Sequence, residues 1–204
     1  TGCGKTYFTT ALLSGLNDLG MKVTGMKPVA TGSTNHDLLE NEDINKIVEA
    51  SNTNSPDALV NQYLFREPCS PNIASALSDS KIEISSVINS FVILESRVDF
   101  VVVEGVGGWQ VPLDKTETIA DLATALGIPV ILVVGMKLGC INHAILTAAA
   151  MERYNVRVLG WVANFLDPDL IRAREVLETL ACRLRIPLLF ELSKGMVSEN
   201  RKQL

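Results

Sequence analysis

Thr1-Gly2-Cys3-Gly4-Lys5-Thr6, running directly into Tyr7-Phe8-Thr9-Thr10-Ala11-Leu12-Leu13, is the stretch on which the reading of the whole chain turns. Gly-x-Gly-Lys-Thr ahead of an apolar-periodic segment is the tail of a phosphate-binding loop. Its glycines let backbone N–H groups converge on phosphate oxygens, and the helix that follows adds the positive end of its dipole. In that pattern Lys5 reaches the β- and γ-phosphates, and the Thr6 hydroxyl is a ligand for Mg²⁺. The complete pattern begins with a glycine several residues upstream and follows a strand, so the sequence is expected to open inside the loop. A Gly-rich helix start with a solvated lysine is the alternative that so short a match leaves standing.

Outward from the loop, residues 5–19 predict a helix closed by Gly20, and Lys22–Met26 a short strand running into Lys27-Pro28-Val29-Ala30-Thr31-Gly32-Ser33. Thr31–Asp43 is polar and predicts a loop, entering a helix near Asp43 with Ile44, Ile47 and Val48 on one face. Ser70-Pro71 is a helix start with proline at the first position, and Ile84–Leu94 a further helix. Phe100–Glu104, Pro129–Val134 and Val158–Asn164 are short runs dominated by apolar and β-branched residues, as in strands covered on both faces. Helical patterns at 117–126, 140–154 and 168–185 alternate with them. The expectation is one α/β domain over residues 1–204: a doubly wound, mainly parallel sheet with helices on both faces, of the P-loop NTPase kind.

Bulk properties narrow the function. The chain has 204 residues, is 47% hydrophobic and carries a net charge of −5; its Lys and Arg form no basic block, which argues against a nucleic-acid partner. Cys3, Cys69, Cys140 and Cys182 lack metal or Cys-x-x-Cys spacing, so reduced thiols and a cytoplasmic setting are expected. The most apolar run, Ile128–Met136, holds Pro129 and Gly135 and is far short of the ~20 residues that span a bilayer. No membrane partner is expected.

In an open α/β sheet, ligands sit beyond the carboxyl ends of the strands. That rule selects Lys27, Glu104, Gly135-Met136-Lys137 and Asn164. Glu104 opens the turn Glu104-Gly105-Val106-Gly107-Gly108 after three valines, where an acidic Mg²⁺ partner of a phosphate loop belongs. Asp43 is a further candidate carboxylate. Lys27, taken alone, would be read as a surface lysine at a strand end.

Four segments together resemble the dethiobiotin synthetase family: Gly2-Cys3-Gly4-Lys5-Thr6, Lys27–Ser33, Val103-Glu104-Gly105-Val106-Gly107-Gly108-Trp109, and Lys137-Leu138-Gly139-Cys140-Ile141-Asn142-His143-Ala144. Tyr63–Pro71 and Gly160-Trp161-Val162-Ala163-Asn164 fall in the same order, so the likeness runs nearly the whole chain. It implies an ATP- and Mg²⁺-dependent ligase, a homodimer, that closes the ureido ring of dethiobiotin from 7,8-diaminopelargonate and CO₂ through a carbamate and a carbamic-phosphoric anhydride.

By the same resemblance, Lys27 and Lys5 are catalytic. Thr6, Asp43 and Glu104 hold the metal. Gly2, Cys3, Gly4, Lys5, Thr6, Asp43, Glu104, Gly105, Val106 and Gly107 surround the nucleotide's phosphates, and Asn164 contacts adenine. Thr1, Thr31, Leu138, Gly139, Cys140 and Asn142 bind substrate, the last four through a carboxylate belonging to the neighbouring subunit's site. Phe190–Lys194 loosely resembles the loop that closes over the base. Other readings stay open at several positions: Cys140 packs, Asn142 caps its helix, Trp109 fills the core, and His143 is structural. Two other classes share the sheet and loop, a cobyrinate-type synthetase and a dimeric partitioning or division-site ATPase switch.

Overall fold

The computed structural model describes residues 2–33 and 40–193. In chain order these form α1 (Lys5–Asp18), β1 (Val23–Met26), β2 (Val29–Thr31), α2 (Glu42–Ala50), α3 (Asp57–Val60), β3 (Tyr63–Phe65), α4 (Pro71–Leu77), α5 (Ile84–Glu95) and β4 (Phe100–Val103). They continue with α6 (Ile119–Leu126), β5 (Val130–Gly135), α7 (Cys140–Arg153), β6 (Val158–Phe165), α8 (Ala173–Arg183) and β7 (Leu188–Ser193). Every pairing between these strands is parallel: β1 with β4, β2 with β3, and β5–β6–β7 in that order. Parallel strands need crossovers, and helices supply them on both sides, as the alternation in the sequence predicts.

The chain forms two compact units, one from the residues through Phe8 together with Gly127 onward, the other from Thr9–Leu126. In the first, Trp161 is fully buried on β6 among Val134, Met136, Ala144, Leu177 and Leu180, so α7 and α8 cover the three-stranded sheet. In the second, Leu13 of α1 and Ile47 of α2 close on Val23 of β1, with no exposure at any of the three. Burying each such side chain contributes about 1.5–3 kcal/mol. Gly25 makes that closure possible: a Cβ there would collide with Ile47 and lie 2.9 Å from Leu13 Cδ1.

Several boundaries differ from the sequence reading. Val29–Thr31 and Tyr63–Phe65 pair as three-residue strands, Val29 with Tyr63 and Thr31 with Phe65, too short for a period to show. Leu188–Ser193 is the edge strand β7, so Phe190–Ser193 lies in a sheet and not in a loop; Lys194 falls outside the described residues. The helix expected from residue 168 begins at Ala173. Asp167 precedes Pro168, which disfavours helical backbone, Asp167 Oδ1 accepts from Asp169 N at 3.0 Å, and Arg172 adopts a left-handed φ of 58°.

Candidate active site

The loop is built as its glycines require. Gly2 and Gly4 have φ of 66° and 79°, in the left-handed region, and α1 begins at Lys5 with Phe8 N donating to Gly4 O at 3.1 Å. Beneath the loop, β5 and β6 end in register, Gly135 opposite Asn164, and Met136 N donates to Asn164 O at 2.7 Å. The two residues form a platform. A Cβ on Gly135 would come within 2.8 Å of Cys3 Cα, so only glycine lets the loop settle there. Asn164 is fully buried, and its Nδ2 donates to Cys3 O at 3.0 Å and more weakly to Gly4 O at 3.5 Å. The start of α1 is tied down by Tyr7, whose hydroxyl donates to Ser193 O at 3.1 Å, and by Phe8, whose ring centroid lies 6.3 Å from that of Phe190.

In the other unit, a charge cluster forms at the ends of β1 and β4. The parallel register pairs Met26 with Val103, so the next residue on each strand, Lys27 and Glu104, emerges at the same rim. Lys27 Nζ donates to Glu104 Oε1 at 2.6 Å and to Asp43 Oδ2 at 2.6 Å. The side chains of Lys27 and Glu104 are 6% and 1% exposed, and that of Asp43 is 44% exposed, so the cluster opens to solvent on the aspartate side.

Packing explains how Asp43 arrives. Gly25 and Lys27 share one face of β1, Asp43 and Ile47 share one face of α2, and the seat that Gly25 gives Ile47 carries Asp43 to Lys27 one turn away. Asn41 fixes the start of that helix, its Oδ1 accepting from Asp43 N at 3.1 Å and Ile44 N at 3.3 Å. Lys27's own backbone is held from both sides, its N donating to Val60 O at 2.9 Å and its carbonyl accepting from Asn61 Nδ2 at 2.6 Å.

The remaining candidates are placed as follows. Glu104 N donates to Met26 O at 2.7 Å, and the turn behind it needs Gly107 at φ 64°, where a Cβ would meet Val111 at 2.7 Å. Gly105, Val106 and Trp109 are partly exposed along this turn, and Thr31 ends β2. Gly139 is the N-cap of α7 at φ 92°, so Asn142 does not cap the helix and lies exposed in its first turn. Cys140 packs in the core at 4% exposure, its N donating to Lys137 O at 3.0 Å, whereas Leu138 is 94% exposed. A cavity of about 440 Å³ beside them is bordered by Lys137, Asn142, Leu170 and Ile171. His143 is exposed, and all four cysteines are free thiols. Thr1 lies outside the described residues.

Three supporting residues escaped the reading of the sequence, Gly25, Asn41 and Asn61, while Gly135 is selected there as a strand end but not as the seat of the loop. Gly25 and Gly135 had a signal, since a glycine within a strand pattern marks a close backbone approach. Asn41 had the usual helix-start signal, an asparagine ahead of an acidic first turn. Asn61 had none.

The left-handed φ of Gly2 and Gly4 is the backbone that lets successive N–H groups of the loop turn towards phosphate oxygens, while Gly4 and Gly135 give the close packing of the loop on Asn164 and on its own platform. Asp43 and Glu104 converge on one cationic centre, the Lys27 ammonium. Asp43 and Glu104 are oxygen donors, the kind that could hold Mg²⁺ together with phosphate oxygens; no cluster of three His, Cys, Asp or Glu is found among the described residues. No helix among the described residues is long and apolar enough to cross a membrane.

Comparison with known proteins bears on both parts. The septum site-determining protein MinD of Pyrococcus horikoshii OT3, solved with Mg-ADP, superposes with a TM-score of 0.54 over 95% of this chain and 77% of its own; at 15% identity it shows the fold alone. The family described as an AAA domain matches residues 1–199. The ATP-dependent dethiobiotin synthetase BioD of Janthinobacterium sp. (strain Marseille) is 40% identical over 93% of this chain and 82% of its own length. Its counterpart from Xanthomonas axonopodis pv. citri (strain 306) is 43% identical over 92% and 84%, and BioD 1 of Salmonella typhi 43% over 94% and 85%. With identity of this extent along nearly the whole sequence, the chain belongs to the ATP-dependent dethiobiotin synthetase family.

Proposed function

We propose that the protein is a cytoplasmic, homodimeric ligase that uses ATP to close the ureido ring of dethiobiotin from 7,8-diaminopelargonate and CO₂. The observation that carries this reading is the buried Lys27 ammonium clasped by Asp43 and Glu104 at the strand ends. Joining a carbamate to a triphosphate brings two anions together, and a fixed cation is what such a step needs. The extent of identity with proteins named as dethiobiotin synthetases supports the substrate assignment.

One substrate amine adds to CO₂ and loses a proton, giving a carbamate. A carbamate oxygen bonds to the γ-phosphorus as the bond to the departing ADP breaks. The second amine then attacks the carbamoyl carbon, phosphate leaves, and the cyclic urea forms with loss of a second proton.

In this scheme Lys27 stabilises the negative charge on the reacting oxygens and Lys5 that on the β- and γ-phosphates. Gly2, Cys3 and Gly4 present the loop backbone to the phosphates, and Gly105, Val106 and Gly107 are assigned to the same nucleotide. Asp43, Glu104 and the Thr6 hydroxyl would hold Mg²⁺, which when bound neutralises phosphate charge. Asn164, which the resemblance assigns to adenine, is fully buried beneath the loop; Thr31 and Thr1 serve the substrate, and Leu138, Gly139, Cys140 and Asn142 receive the carboxylate of a substrate bound to the partner subunit.

The test is direct. Purified protein with diaminopelargonate, bicarbonate, Mg²⁺ and ATP should yield the cyclic urea by mass spectrometry, in step with phosphate. Phosphate release without that product would instead favour an ATPase switch.

A further inference from the structure

We propose that Asn164 is a positioning residue for the phosphate loop, acting through its side-chain nitrogen on the loop's carbonyl groups; this rests on the reading of residues 2–6 as a phosphate cradle. The geometry leaves little freedom. Asn164 has no exposed surface, and Nδ2 lies 3.0 Å from Cys3 O and 3.5 Å from Gly4 O. An amide flipped by half a turn would set its oxygen against those two carbonyls, so the network itself fixes which end faces the loop.

What the contact does follows from peptide geometry. No peptide bond among the described residues is cis, and in a trans peptide the C=O and N–H point in opposite directions. Drawing Cys3 O down to Asn164 therefore turns the N–H of Gly4 up and away from the platform. Drawing Gly4 O down does the same for the N–H of Lys5. These are the donors at the Gly-Lys step, which a phosphate loop must aim at its ligand.

Two further observations agree. Gly4 O also accepts from Phe8 N at 3.1 Å, so one carbonyl is held both by the first turn of α1 and by Asn164. A Cβ on Gly4 would overlap Nδ2, so the glycine and the asparagine are fitted to each other. Meanwhile Asn164 Oδ1 is buried without a hydrogen-bond partner among the described residues. Such an atom costs stability that an apolar side chain of similar size would not. The bonds made by the nitrogen are the return for keeping an amide at this position.

Base recognition and loop positioning make different predictions, because inorganic triphosphate has no base. Affinities for ATP and for inorganic triphosphate are measured by calorimetry on the wild type and on Asn164→Leu and Asn164→Ser. Loop positioning predicts that both ligands weaken by the same factor, about tenfold for the loss of hydrogen bonds of this kind, with their ratio unchanged. Weakening of ATP alone, or of neither ligand, overturns the proposal. A wild type that binds neither ligand removes the phosphate-loop reading itself, which separates that failure from this one. Should neither variant fold, hydrogen exchange of the Asn164 side-chain amide in the ligand-free wild type decides: slow exchange is expected, and exchange at the rate of an exposed amide overturns the role.

Discussion

Lys27 illustrates how little a residue type says until its neighbours are known. A lysine at a strand end is ordinarily solvated, yet here its ammonium sits 2.6 Å from each of two carboxylates with 6% of the side chain exposed. Replacing it with alanine leaves Glu104 buried with less compensation, and we expect stability to fall by about 1–3 kcal/mol in urea titrations. Turnover should fall further, by about 10²–10³-fold, the usual loss when one preorganised charge partner is removed from a reaction centre. ATP binding, measured separately, should survive; abolished binding would show that Lys27 serves the nucleotide and not the transfer.

A second residue gives a pH test remote from the site. Asp114 accepts from the backbone N–H groups of Glu117 and Thr116, each at 2.7 Å, and these bonds hold its carboxyl below the ordinary carboxylate value. A depressed folded-state value means that the contribution is present above the unfolded pKa of about 3.9 and is lost as pH falls through the folded one. The stability gap between wild type and Asp114→Asn should therefore narrow as pH is lowered from 5 to 3 (about the range set by those values). A gap that stays constant would rule out this turn as the source.

At the scale of elements, the determining contact is the seat that Gly25 provides for Ile47. Gly25→Val should destabilise by about 1–3 kcal/mol through overpacking, and should lower activity beyond that loss because α2 carries Asp43. Asn41→Ala removes the helix cap and should cost about 1 kcal/mol, read as a shift in the denaturation midpoint. Elements with a long period or a continuous β-branched run, such as α7, β4 and β5, could be read from the sequence because burial imposed the pattern. β2 and β3, at three residues each, are defined by their partner and not by any period of their own. β7 is matched only by resemblance to a loop, and its own residues give no strand signal, since Phe190 and Glu191 are both exposed on an edge where no inside-outside alternation is enforced. The site divided in the same way: Lys27 and Glu104 follow from the strand-end rule, but the inward turn of the Asn164 amide depends on a platform that only the folded sheet creates.

At the scale of the molecule, the acidic balance and scattered cations point to small molecules or protein as partners, and the proposed protein partner is a second copy of the chain. The proposed sharing of each substrate between subunits can be tested by mixing. Lys27→Ala disables one part of a site, and Asn142→Asp places a negative charge where the partner's substrate carboxylate is expected. Each homodimer should be inactive, while randomly re-associated mixtures should recover about a quarter of wild-type activity, since half the dimers then contain one intact site of two. No recovery would mean that each site lies within one chain.

The cluster at Lys27 also bears on how the protein fares between turnovers. Because the fold carries its own counter-ion, the acidic rim need not borrow one from solution, and the resting molecule should tolerate chelators. Melting temperatures in EDTA and in millimolar Mg²⁺, without nucleotide, should agree within about 2 °C. Such an enzyme could stay folded and dormant through magnesium scarcity, ready to start when the salt and its substrates return.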